Sequence, residues 1–234
     1  VCADPNNLPF SNLHMEGFEN RVAELLAAEL GASLEYVWWA QRRGFLRNTL
    51  GADACDVVLG IPAATDAVLA TEPWYHSTYV AVARRDGPRI RSLDDPALRR
   101  VRVGIHLIGD DYANTPPAEA LARRGIVENL VGFPIYGDYR EANPPARLIE
   151  AVANGDVDVA IVWGPFAGYF APRQQVPLVV RRIPDSEPGL PLAFDIAMGV
   201  RKGNDSLRRR LETAVVQRRA EIDSVLARYG VLPG

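Results

Sequence analysis

The sequence predicts an α/β chain built as two lobes, each a doubly wound mixed sheet with flanking helices. Three observations carry this. Short β-branched runs alternate with segments of helical apolar spacing along all 234 residues, the order that gives parallel sheets covered by helices. The stretch LGADACDVVLGIP (50–62) lays over VANGDVDVAIVWG (152–164), and both read as helix end, small polar turn, Asp, apolar strand, then Gly or Pro. Two more strands, TYVAVA (78–83) and DIAMGV (195–200), fall where a chain that crosses twice between lobes needs them.

In chain order, Val1 to Pro5 reads as the first strand. A helix is predicted over Gly17 to Leu30, because Phe18, Val22, Leu25, Leu26 and Leu30 keep the spacing of one helical face. Leu34 to Trp39 follows as a strand, and the third begins at Cys55-Asp56-Val57-Val58. Val101 to Leu107 is the next strand. Pro116 to Arg124 is a helix opened by Thr115 and a double proline, and Leu130 to Tyr136 is a strand. Asn143-Pro144-Pro145 opens a helix through Leu148, Ile149 and Val152, and Val157 to Val162 is a buried strand. One long helix from Asp205 to Arg228 closes the chain. These assignments place residues 1–82 and 192–234 in lobe one and residues 83–191 in lobe two, joined by a two-crossing hinge.

Composition removes several classes of function. With 48% apolar residues the chain has ample core for two small lobes. A formal charge of -3, with arginines dispersed at helix-surface spacing, provides no stripe to track a phosphate backbone, so nucleic acid is not an expected partner. No stretch approaches the roughly 18 to 20 apolar residues of a membrane span, so no membrane insertion is expected. The chain opens at Val1-Cys2 directly in a strand, and a removed leader is expected upstream.

Motifs for catalysis are weak. His14-x-Glu16 resembles the start of a zinc deaminase signature but lacks the later Pro-Cys-x-x-Cys, and the chain has three histidines in all. Asp110-Asp111 and Asp156-x-Asp158 lack the further oxygen ligands of a calcium loop and read as turn and cap residues. No metal site and no catalytic residue is expected. The two cysteines stand at the starts of the first and third strands, which are neighbours in the 2-1-3 order of a doubly wound lobe. A Cys2–Cys55 disulfide is therefore expected at the sheet end away from the ligand side, in an oxidising compartment; two buried free thiols are the alternative.

In open α/β sheets ligands bind beyond the carboxyl ends of the strands, so two such lobes would face their strand ends into a shared cleft. The candidate cleft residues of lobe one are Asn6 and Phe10 after the first strand, Trp39, Arg42 and Arg43 after the second, and Tyr75. Those of lobe two are Asp111, Tyr136, Tyr139, Trp163, Phe166 and Tyr169. Aromatics with both charge signs at so many independent strand ends suit recognition of a protein partner.

The order Gly17-Phe18-Glu19, Arg43-Gly44-Phe45, Cys55-Asp56-Val57-Val58, Thr71-Glu72-Pro73-Trp74-Tyr75 and Val103-Gly104-Ile105 resembles the type 2 periplasmic solute-binding proteins of ABC importers. A nearer likeness lies in CADPNNLPFSN (2–12), QRRGFLRNTL (41–50), GDDYANTPPAEAL (109–121), NPPARLIEAV (143–152) and VWGPFAGYFA (162–171). Together these resemble the MxaJ/XoxJ family, with the XoxJ branch preferred, and the likeness spans the whole chain.

The resemblance implies a two-lobed type 2 periplasmic-binding-protein-like fold in the periplasm. It further implies a non-catalytic accessory role beside a PQQ-dependent methanol dehydrogenase or its cytochrome c, with the PQQ and a calcium or lanthanide ion held by the dehydrogenase. Ordinary amino-acid binders of the superfamily carry an arginine after the third strand and an aspartate at the end of a lobe-two strand. Here those positions fall near Ala64-Thr65-Asp66 and at Trp163, so both halves of the clamp are missing. Two other readings remain. One is an importer subunit for a small ligand that is not an amino acid; the other is an enzyme like the cyclohexadienyl dehydratases of the same fold, with Arg43 and Asp111 as its working residues.

Overall fold

The structure, a computed structural model, describes residues 1–108, 114–135, 140–184, 186–187 and 189–231. The chain begins with β1 (Cys2–Ala3), the small hairpin β2 (Asn6–Asn7) and β3 (Ser11–Asn12), α1 (Phe18–Leu30) and β4 (Val37–Trp38). A single turn α2 (Phe45–Asn48), β5 (Val57–Pro62), β6 (Leu69–Ala70) and the long β7 (Tyr75–Arg84) follow. Then come β8 (Val103–Leu107), α3 (Pro116–Arg123), β9 (Leu130–Pro134), α4 (Arg147–Asn154), β10 (Val159–Trp163), α5 (Gly164–Phe170) and β11 (Leu178–Arg182). The hairpin β12 (Ser186–Glu187) and β13 (Leu190–Pro191) precedes β14 (Ala193–Val200), and α6 (Asp205–Gln217) and α7 (Arg219–Arg228) close the chain.

Two compact units result. Unit one holds residues 1–76 and 194–229, and unit two holds residues 77–193 together with the short segment that begins at Gly230. The chain passes between them within β7 and again at the start of β14.

In unit one β1 lies between β4 and β5, parallel to both, and β14 runs antiparallel to β5. The second strand, β4, is shorter than its sequence suggests and is held to β1 by Val37 N–H donating to Val1 O and Trp39 N–H to Ala3 O. α1 forms where Phe18, Val22, Ala23 and Leu26 make one buried face, and it stops at Gly31, whose φ of 61° an L side chain rarely adopts. At Gly17 the need is space, since a Cβ there would collide with Phe10 O.

Cys2 and Cys55 are joined by a disulfide across a Cα–Cα distance of 5.6 Å, both buried in the cluster of Phe45, Leu50, Val58, Ile61 and Ala197. The expected bridge is present.

Unit two repeats the plan. β8 lies between β9 and β10, parallel to both, and β7 runs antiparallel to β10. β11 also pairs with β7. The core gathers Leu98, Val103, Ile105, Leu121, Val159, Ile161 and Leu192. Asp158, a turn residue by sequence, accepts from the Arg102 backbone N–H at 2.8 Å and pairs with its guanidinium at 3.0 Å, fastening β10 to the start of β8.

The closing helix departs from its sequence reading. It breaks at Arg218, where φ is -100° and ψ 14°, into α6 and α7. The Arg218 guanidinium is held by Glu29 of α1 at 2.6 Å and Glu221 of α7 at 2.9 Å. Both helices pack on α1, and the break at the shared ion pair lets each do so.

Candidate functional site

The strand ends of each unit carry the chemistry, and the two sets differ. In unit one β1 runs into Asp4, which is 1% exposed. Its carboxylate accepts from Asn6 N–H at 2.8 Å and from Gln41 N–H at 2.7 Å. The Gln41 side chain accepts from Asn7 Nδ2 at 3.3 Å and donates to Gly60 O at 3.5 Å. One web thus ties β1, the β2–β3 hairpin, the segment after β4 and β5. Asn7 Oδ1 is buried there without a hydrogen-bond partner.

Glu19 completes this end. A Cβ at Gly60 would collide with Glu19 Oε1, so the glycine in β5 makes room for the carboxyl. Part of the Glu19 residue is exposed, yet desolvation of its carboxyl, with Asp4 adding repulsion, raises its pKa to about 8. Sequence reading did not single out Glu19. The signal was available in an isolated glycine inside the apolar run VVLGIP.

The expected residues of lobe one separate into two groups. Trp39, 44% exposed, and Arg42 and Arg43, both exposed, lie at the surface. Asn6 and Phe10 are half-buried, with Phe10 set 5.2 Å from Phe18. Tyr75 is buried, edge-on to Phe18 at 5.7 Å and to Trp74 at 4.6 Å. Its position in the run Trp74-Tyr75 gave no sign of which aromatic faces inward. Burial, and then Glu19, hold its phenol well above the usual tyrosine range.

In unit two the aromatics are presented by the end of β10 and by α5. Trp163 is half-buried, its ring 5.2 Å from Tyr79 of the neighbouring strand. α5 springs directly from it, and Gly164 permits this, because a Cβ there would sit 2.8 Å from Thr78 O. Phe166 is 4% exposed and packs edge-on to His106 at 5.1 Å. Tyr169 is half-buried beneath the Arg173 guanidinium, 3.6 Å from its ring centroid. Asp111, Tyr136 and Tyr139 lie outside the described residues.

His106 was not expected to matter either. Burial lowers its pKa to about 4, a backbone hydrogen bond at Pro145 acting the other way, and Nε2 is buried without a partner. Among the described residues no three His, Cys, Asp or Glu side chains come together as a metal site would require. A larger pocket of about 580 Å³ in unit one lies at the opposite strand ends, beside Val1 and Cys55, with walls that include Leu26, Leu30, Leu34 and Val37. It is remote from the polar web.

No protein-family model matches the sequence. The crystal structure of periplasmic binding protein XoxJ from Methylobacterium extorquens superposes with a TM-score of 0.81 at 36% identity, covering 100% of this chain and 98% of that one. The chain belongs to the MxaJ/XoxJ family. MxaJ from Methlophaga aminisulfidivorans superposes with a TM-score of 0.85 at 26% identity over 98% of this chain and 97% of that one. Protein MoxJ of Methylorubrum extorquens is 29% identical over 99% of this chain and 80% of its own length. The two-lobed type 2 fold expected from the sequence is the fold of this family. No helix among the described residues is long and apolar enough to cross a membrane.

Proposed function

We propose that the protein is a non-catalytic periplasmic accessory protein of a PQQ-dependent, lanthanide-type methanol dehydrogenase system. In this reading the strand-end surfaces of its units hold part of a protein partner, the dehydrogenase or its cytochrome c, for assembly or activation. The observation that carries the reading is the full-length likeness to XoxJ and MxaJ. The strand ends support it. β10 ends in Trp163, edge-on to Tyr79, where the superfamily's amino-acid binders place a carboxylate for the ligand ammonium. In unit one Asp4 has both carboxylate oxygens occupied by backbone donors. PQQ and the catalytic metal stay with the dehydrogenase in this account.

The test is to immobilise the protein, pass the native periplasm of a methanol-grown culture over it and identify what is retained by mass spectrometry. Retention of the quinoprotein dehydrogenase or its cytochrome is the expected result. Retention of neither, with importer membrane subunits held instead, would replace this reading by the solute-binding one. A panel of common α-amino acids, followed by isothermal titration, is expected to stay weaker than micromolar, since a site without the bidentate arginine and the ammonium acceptor forfeits several kcal/mol. One amino acid bound at low micromolar strength would also favour the importer.

A further inference from the structure

A pocket of about 440 Å³ opens in unit one between the carboxyl end of β5 and α2. Phe45 and Ile61, 5% and 6% exposed, form its floor with Leu46 and Pro62, and Gln41, Arg42 and Arg47 stand at its rim. Gly44, at φ 85°, makes the turn that puts Arg42 before and Arg47 after the same opening. Arg47 folds back over that turn, its Nη2 3.4 Å from where a Gly44 Cβ would be.

Neither guanidinium has an acidic or hydrogen-bonding partner among the described residues. Arg208 and Arg218 of the same unit are each matched by two acids, Arg208 by Asp205 and Glu212 and Arg218 by Glu29 and Glu221, so what sets Arg42 and Arg47 apart is their place at one apolar opening. Of the nearby acids, Asp4 bonds two backbone N–H groups and pairs with neither Arg42 nor Arg47, and Glu19, over Gly60 on the pocket wall, keeps its proton up to about pH 8. Two unmatched cations over an apolar floor select a ligand that is anionic outside and apolar at its centre.

We propose that this pocket receives an acidic segment of a protein partner, with one apolar side chain seated over Phe45 and Ile61 and flanking carboxylates paired to Arg42 and Arg47. A phosphodiester backbone makes no use of the floor, and a small inorganic anion leaves it wet. The open mouth suits a chain that passes across it. The proposal rests on the reading of this protein as a partner-binding accessory and names the chemistry of the part that is bound.

The probe is a short capped peptide of glutamates around one phenylalanine, fluorescently labelled and followed by anisotropy. Arg42→Glu with Arg47→Glu is expected to weaken it by at least about tenfold, the loss of even one charge-assisted pair. Arg42→Lys with Arg47→Lys should retain part of the affinity. Arg85→Glu, an exposed arginine of unit two, should match wild type. Replacing the peptide glutamates by glutamines, or its phenylalanine by alanine, should each weaken binding, and added salt should weaken the parent peptide.

Wild-type protein that ignores the parent peptide, or a double variant that binds it unchanged, overturns the proposal. Capture of methanol dehydrogenase separates this from the broader reading. If the double variant loses the peptide but still captures the enzyme, the pocket is not the docking point and the accessory role stands. If wild type binds the peptide through these arginines yet never captures the enzyme, the pocket stands and the accessory role falls.

Discussion

The two units share a plan, three parallel strands with an antiparallel fourth, yet their strand ends differ in kind. Unit one ends in a hydrogen-bonded web of Asp4, Asn7, Gln41 and Gly60 with a protonated Glu19 beside it. Unit two ends in rings, Trp163 on Tyr79 and Phe166 on His106. The difference teaches that doubly wound topology fixes where recognition happens, while the residues at the strand ends decide what is recognised.

The units also differ in how they are held together. Unit one is cross-linked between Cys2 and Cys55 across 53 residues, and those are the only cysteines of the chain. Closing such a loop restrains the unfolded chain by about 4 kcal/mol in the entropy model. Serine at both positions should therefore lower stability by an amount of that order. Hydrogen exchange should show the loss in β1 and β5 and spare β8 and β10; equal loss in both units would erase this contrast.

Unit two carries no such cross-link, since both cysteines lie in unit one. Ile161, 1% exposed between Ile105 and Val159 in the core, should cost about 2–5 kcal/mol when changed to alanine. Urea unfolding measures it. A cost below about 1 kcal/mol would mean that β10 is not the spine of the unit.

Titration sharpens the comparison further, because the buried groups of the two units respond to pH in opposite directions. Glu19 holds its proton to about pH 8 when folded, whereas an unfolded glutamate releases it near 4.5. Its contribution to stability therefore declines as pH rises from 4.5 to about 8 and is constant above that. His106 stays neutral down to about pH 4, while the unfolded histidine takes up a proton below 6.5. Its contribution declines as pH falls from 6.5 to about 4. Each pKa unit corresponds to about 1.4 kcal/mol before solvent screening reduces it. Glu19→Gln should flatten the first slope and His106→Gln the second, read from melting temperature against pH. A variant that leaves its slope unchanged would remove that group from the account.

Much of this fold was legible because it is written in short-range patterns. The alternating runs, the double proline that opens α3 and the rhyme of 50–62 with 152–164 each determine local geometry. The break at Arg218 was not legible, since Gln217-Arg218-Arg219 contains no helix breaker and the partner that Arg218 meets there, Glu29, is 189 residues away in sequence. The inward turn of Tyr75 and Phe166 was hidden for the same reason: an aromatic at a strand or helix end faces whichever side tertiary packing offers. Glu19 lay in between, visible only to a reader who asked why β5 needs a glycine.

The smallest stability effect bears on the central claim. Trp163 is half-buried, so Trp163→Ala should cost less than the roughly 3–5 kcal/mol of a fully buried aromatic and leave melting near wild type. At a partner interface the same ring can be worth about 2 kcal/mol or more. The decisive measurement is capture of purified PQQ-dependent methanol dehydrogenase, beside melting temperature, for wild type, Trp163→Ala and Ile161→Ala. The account predicts that wild type captures the enzyme, that Trp163→Ala melts normally and loses it, and that Ile161→Ala melts early. A Trp163→Ala protein that melts early and still captures the dehydrogenase would make Trp163 a core residue and contradict the account.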